Sequence, residues 1–120
     1  MVEERYMRRA VTFTFLNGAA GAGLIQSVDL PIEGELLWIH QRNANHTNPV
    51  TAQLTIEDQS GYVIFDGTAK AENTNFDHEF GVTIRRILTG KATLKCTISG
   101  DPGASGAVIV AVVHFIGREG

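Results

Sequence analysis

Four histidines (His40, His46, His78 and His114), one cysteine (Cys96) and the consecutive polar groups Asp77, His78 and Glu79 are what this chain has to offer chemically. A metal site on β-strands wants two histidines two positions apart, because residues i and i+2 of a strand point to the same side. No His-x-His pair occurs. Asp77, His78 and Glu79 are immediate neighbours, so on a strand the middle one faces away from the other two. A site built from them would need a loop and an outside ligand. The histidines are therefore expected in structural or solvent-exposed roles, with no metal and no cofactor.

Other motifs fall short in similar ways. Glu57 and Asp58 precede a glycine turn and Asp101 lies in a glycine-rich loop, but the spaced ligand series of a calcium-binding loop is missing. The run at 17–23, Asn-Gly-Ala-Ala-Gly-Ala-Gly, lacks the Gly-Lys-Ser/Thr entry into a helix that a phosphate loop needs. Ser105 lacks the Gly-x-Ser-x-Gly spacing of a nucleophile turn. Paired carboxylates for glycoside hydrolysis need only meet in space, so the sequence leaves them open, although no local signature points to them. Asn45-His46-Thr47 matches a glycosylation acceptor, a short pattern of little weight without a secretion signal. Cys96 reads as a small buried hydrophobe. A single cysteine excludes a disulfide within the chain, which fits assembly in a reducing cytosol. The chain is not expected to be an enzyme.

The elements that must carry these residues are strands. With 43% apolar and 19% charged residues over 120 positions, there is material for one core and not comfortably for two. A net charge of -3 gives no basic excess for nucleic acid. No apolar run approaches the roughly 18 residues of a membrane span, and the N-terminus lacks an apolar signal core. Alternation predicts strands over residues 11–16, 24–28, 35–42, 50–57, 62–66, 82–88, 91–98 and 107–116, with a turn over 29–34. Residues 70–79 are an irregular edge strand or a crossing loop. In the strand over 35–42, Leu36 and Trp38 are assigned to one face and Leu37 and Ile39 to the other. The pattern predicts an all-β fold: an antiparallel β-sandwich, a jelly roll of about eight strands over residues 10–120. An immunoglobulin-type sandwich would normally bring a cysteine pair around its core Trp.

The last strand sets the arrangement. Ile109, Ala111, Val113 and Phe115 occupy one face and Val108, Val110, Val112 and Ile116 the other. Burying one such side chain is worth roughly 1.5–3 kcal/mol, so both faces call for cover. Either the chain's own N-terminal arm or loops cover the second face, or another subunit does. Residues 1–9 form that arm, frayed or ordered against a neighbour through Arg5, Tyr6, Met7, Arg8 and Arg9.

The Trp-containing strand, the turn at 57–62, the segment Ala-Glu-Asn-Thr-Asn at 71–75, and the loop Ser-Gly-Asp-Pro-Gly-Ala-Ser-Gly at 99–106 leading into an all-apolar last strand form a familiar set. From about Gly21 onward the chain resembles the capsid decoration, or cement, proteins of tailed bacteriophages. The resemblance implies a homotrimer on the capsid surface of a virion, bridging subunits of the phage major capsid protein. It places Val108, Val110, Val112 and Ile116 at a subunit interface and the arm against a neighbour or the shell. Neither nucleic acid nor membrane is expected as a partner. A reading of another class is a carbohydrate- or receptor-binding module of a phage fibre, for which Trp38 and Tyr62 are the only stacking groups, both in strands that read as core. A small hydrolase or isomerase ranks third.

Overall fold

The computed structural model describes residues 5–79 and 86–119. Its strands are β1 (Arg5–Phe15), β2 (Ile25–Leu30), β3 (Ile32–Asn43), β4 (Ala52–Glu57), β5 (Val63–Asp66), β6 (Thr74–Glu79), β7 (Arg86–Thr89), β8 (Ala92–Ile98) and β9 (Ala107–Glu119). One 3₁₀ turn, Gly21–Leu24, precedes β2. The first sheet has the order β1-β9-β3-β6, with β7 also paired to β3, and the second β2-β8-β4-β5. Every pairing is antiparallel. The chain passes back and forth between the two sheets, which is the winding of a jelly roll.

Period-two alternation accounts for the core. Ala52, Leu54 and Ile56 of β4 and Ala92, Leu94, Cys96 and Ile98 of β8 are buried, as are Ile109, Ala111, Val113 and Phe115 of β9. The β4 and β8 residues of the second sheet meet those of β9, with Phe13, Phe15, Leu36 and Ile39, from the first sheet in one cluster. Burial of this order, at about 25 cal/mol per Å² of apolar surface, is the main stabilising contribution in such a sandwich.

Four expectations change. The first strand begins at Arg5, not at residue 11, so Arg5–Arg9 are the opening half of β1, paired with β9 from Gly117 to Val113; residues 1–4 of the expected arm lie outside the described residues. The turn expected over 29–34 is only Pro31: β2 ends at Leu30 in one sheet and β3 starts at Ile32 in the other. Proline has no N–H to continue the ladder, so the chain changes sheets there while Leu30 and Ile32 both stay buried. Residues 70–79 prove to be crossing segment and strand in turn, with β6 occupying the second part. Of the strand expected over 82–88, residues 82–85 lie outside the described residues and 86–88 open β7.

A further change is a bulge in β3. Leu36 pairs with Phe115 and Trp38 with His114, so Leu37 has no partner on β9. An extra residue in one strand reverses the alternation beyond it. Leu36 and Ile39 are therefore both buried, and Trp38 points outward, not to the side shared with Leu36.

Candidate interaction surface

The outward face of the first sheet gathers most of the residues singled out by the sequence. Its middle strand, β9, turns Val108, Val110, Val112, His114 and Ile116 outward. Val108 and Ile116 are each 39% exposed, whereas Val110 and Val112 are partly covered. Among the described residues no arm lies across them: from Arg5 onward the chain runs beside β9 as β1, edge to edge.

Register places the outward residues in lines across the sheet. Arg8, His114, Trp38 and Glu79 form one line, and Ala10, Val112, His40 and Asp77 the next. Tyr6, Ile116, Glu35 and Ile87 form a third. Where the first and third lines meet, the Tyr6 hydroxyl is hydrogen-bonded to Nδ1 of His114. The Trp38 and His114 rings stack with centroids 4.1 Å apart, and Tyr6 sits 5.9 Å from Trp38. Burial lowers the pKa of His114, with Arg8 acting in the same direction and Asp77 against it. His40 Nδ1 lies 2.6 Å from Asp77 Oδ1, and Arg118 Nε donates to Glu33 at 2.6 Å.

His114 was legible as a residue but not as part of this surface, because a lone histidine in an apolar strand gives no sign of the ring it will meet. The bulge that turns Trp38 outward creates the pairing. Tyr62, the other stacking candidate, lies exposed at the β4–β5 hairpin, well apart from these lines in the other sheet.

The remaining polar residues serve the fold. His78 is buried on the inward side of β6, between Phe65 and Phe76. Gln41 Nε2 donates to Asn43 Oδ1 and to the Ala52 carbonyl, both at 3.0 Å. The Gln41 oxygen must then accept, and His78 Nε2–H donates to it at 2.7 Å. Asn43 Nδ2 in turn donates to the carbonyls of Lys70 and Ala71. This buried chain ties the segment crossing between the sheets to β3. Burial lowers the pKa of His78, helped by Lys70 and opposed by Asp77. His46 is buried among the loops, and neither ring nitrogen has a hydrogen-bond partner among the described residues.

Asp58 Oδ1 accepts from Ser60 Oγ and N and from Tyr62 N, bonds that hold its pKa down, the Ser60 hydroxyl foremost. Asp101 Oδ1 accepts the N–H groups of Gly103 and Gly18, which act likewise. Both carboxylates thus fasten turns. Glu57 pairs with Lys95 at 2.8 Å, on a different strand from the Asp58 turn. The Cys96 thiol is pushed up to about 12 by burial. Among the described residues, no three His, Cys, Asp or Glu side chains come together as metal ligands, and no helix is long and apolar enough to cross a membrane.

No family model and no curated protein sequence matches the chain. Solved structures do. A chain of the cyanophage Pam1 capsid asymmetric unit superposes with a TM-score of 0.53 at 19% identity, over 93% of this chain and 84% of that one. Infectious bursal disease virus, Gx strain, gives a TM-score of 0.42 at 12% identity, covering 96% of this chain and 33% of that one. The T13 particle of the same virus gives 0.41 at 9% identity, over 98% and 36%. With the cyanophage chain the shared feature is the fold.

Proposed function

We propose that the chain is a structural protein of a phage virion: a non-enzymatic decoration protein. It sits on the outside of the capsid as a homotrimer and bridges major capsid subunits. The observation that carries this reading is the half-exposed apolar line of β9, Val108 through Ile116, on a sheet face that no other part of the described chain lies across. A protein that works alone has little use for such a line, and contact with another protein surface is its ordinary purpose. The likeness in fold to a chain of a phage capsid supports the same reading. In it, Val108, Val110, Val112 and Ile116 contribute to subunit packing. Arg5, Tyr6, Arg8 and Arg9, at one end of β1, reach a neighbour or the shell, whereas Met7, expected among these contacts, packs against the core. Each added contact on the order of 1,000 Å² raises the barrier to rupture of the shell.

The test is the mass of the purified protein in solution, followed by co-sedimentation with expanded phage heads. A trimer that pellets with shells is expected. A monomer that stays in the supernatant at micromolar shell protein would defeat the proposal.

One observation favours a glycan-binding module instead: Trp38 and Tyr6 lie together on the outer face. Sugar stacking, however, needs a bare aromatic face, and Trp38 gives one of its faces to His114. A clear hit on a glycan array would reverse this ranking.

A further inference from the structure

The two outer strands of the first sheet carry opposite charge. β1 holds three arginines, Arg5, Arg8 and Arg9, and no carboxylate, whereas β6 holds Asp77 and Glu79 and neither lysine nor arginine. Arg8 and Glu79 are exposed and end the same line across the sheet. Three strand spacings of roughly 4.8 Å put their backbones about 14 Å apart. That exceeds the screening length of about 8 Å at physiological salt, so the two charges do little for one another within a single copy.

The neighbouring line ends in the same complementary fashion. Tyr6, 53% exposed, closes it on the β1 side and Ile87, 51% exposed, on the β7 side. Each margin of the sheet therefore offers one charged and one apolar group, and the opposite margin offers the matching pair. Two geometries would bring them together. A face-to-face pair about a two-fold axis would set Arg8 on Glu79, but it would also press Arg42 onto Val110 and the His40–Asp77 pair onto Val112 and Ala10. Covering charges with apolar side chains leaves ions desolvated without a partner, a penalty on the order of the whole contact. A head-to-tail contact avoids that cost, and it needs two different matching patches on one molecule, as a closed ring of identical copies does.

We infer that the partner at this sheet's margins is a second copy of the chain, with the β1 margin of one copy seated on the β6–β7 margin of the next, so that Arg8 meets Glu79 and Tyr6 meets Ile87. This rests on the oligomeric reading above and names its seam. The contact repeats around the ring with the same sense, each copy giving its basic margin to one neighbour and its acidic margin to the other.

The test is charge exchange on the full chain. Arg8→Glu and Glu79→Arg are made singly and together, and assembly is followed by sedimentation velocity across concentration. Both positions are exposed, and circular dichroism checks that each variant folds. Like charges facing each other across the seam should weaken subunit association by roughly tenfold or more in each single variant. The double variant restores the pairing and should return to within about threefold of the parent, and added salt should weaken the parent more than either single variant. Single variants that assemble like the parent, a double variant that fails to recover, or a parent of dimer mass would overturn the seam and leave an oligomer on the shell intact as a reading. A parent that is monomeric at every concentration would remove both.

Discussion

Replacing Gly34 with alanine should be among the most damaging single-methyl changes possible in this chain. Gly34 on β3 faces Gly117 on β9, and the two have φ of +145° and +157°. A Cβ on Gly34 would lie 2.1 Å from the carbonyl oxygen of Ile116, and one on Gly117 would lie 2.0 Å from that of Glu33. Both obstacles are backbone in the central ladder, so no side chain can swing aside. Holding a residue with a Cβ in that region of φ costs about 1–3 kcal/mol. Prising the strands apart forfeits one or two ladder hydrogen bonds at about 1 kcal/mol each. The sum, about 2–5 kcal/mol, is a large part of the 5–15 kcal/mol that typically holds a domain together. In urea the unfolding midpoint should fall by roughly 2 M. Gly61→Ala is the control: it too has positive φ, +89°, but an added Cβ there meets nothing within 4 Å. It should lose only the conformational part. If Gly34→Ala proves no worse than Gly61→Ala, the close approach of β3 and β9 is not what requires glycine, and the reasoning fails.

Three further outcomes follow from the buried groups and the outer face. The folded pKa of His78 lies below its unfolded value of 6.5, so the unfolded chain takes up the proton first. The stability this group contributes is complete above pH 6.5 and is lost as pH falls toward the folded pKa. His114 has the same sign, so His78→Gln should reduce the fall in urea midpoint between pH 7.5 and pH 5 without abolishing it; an unchanged slope would count against the buried neutral ring. With its pKa pushed up to about 12, Cys96 has essentially no thiolate at neutral pH. A disulfide reagent should label it only as fast as the protein unfolds, and prompt labelling of the native protein would contradict its burial. On the proposed trimer, Val110→Asp, on the outer face, should leave the far-ultraviolet spectrum unchanged while converting trimer to monomer by light scattering. A variant that stays trimeric removes Val110 from the interface.

What the sequence could disclose followed the period of a strand. Over 50–57 and 91–98 the alternation is uninterrupted, and the inward sets Val50, Ala52, Leu54, Ile56 and Ala92, Leu94, Cys96, Ile98 are buried as expected. The period fails wherever one residue is added or a chain direction changes. The bulge at Leu37 leaves no trace in residue types, yet it reverses the face of Trp38 and so brings together the aromatic group at the heart of the surface. Pro31 was read as part of a broad turn because a sheet-to-sheet crossing can be as short as one residue when both flanking side chains, Leu30 and Ile32, enter the core. Arg5, Arg8 and Arg9 looked like an arm because charged side chains are a poor strand signal; they suit β1 because an edge strand tolerates them and is guarded by them against stray pairing. The buried chain of Gln41, Asn43 and His78 was invisible for a different reason. Its members come from two strands and answer carbonyls of a crossing segment, so only the assembled fold shows what each satisfies.

The arrangement separates folding from assembly. None of Val108, Val110, Val112 or Ile116 belongs to the buried core cluster, which is closed by Ile109, Ala111, Val113 and Phe115 on the other side of the same strand. Removing a neighbour would therefore uncover side chains already in partial contact with water and would open no cavity in the sandwich. The cost of standing alone is then an apolar stripe, not a missing piece of core, and Arg8, Arg42 and the His40–Asp77 pair flank that stripe with polar groups. A single copy can thus fold before it finds its partners, with the line Arg8, His114, Trp38 and Glu79 already set by strand register. For a protein that must be added late to a large surface, that order of events is physically favourable. In the proposed role the outer face would be set by strand register before contact, so little ordering entropy would be lost on docking, and association could be tuned by a few exposed charges without putting the core at risk.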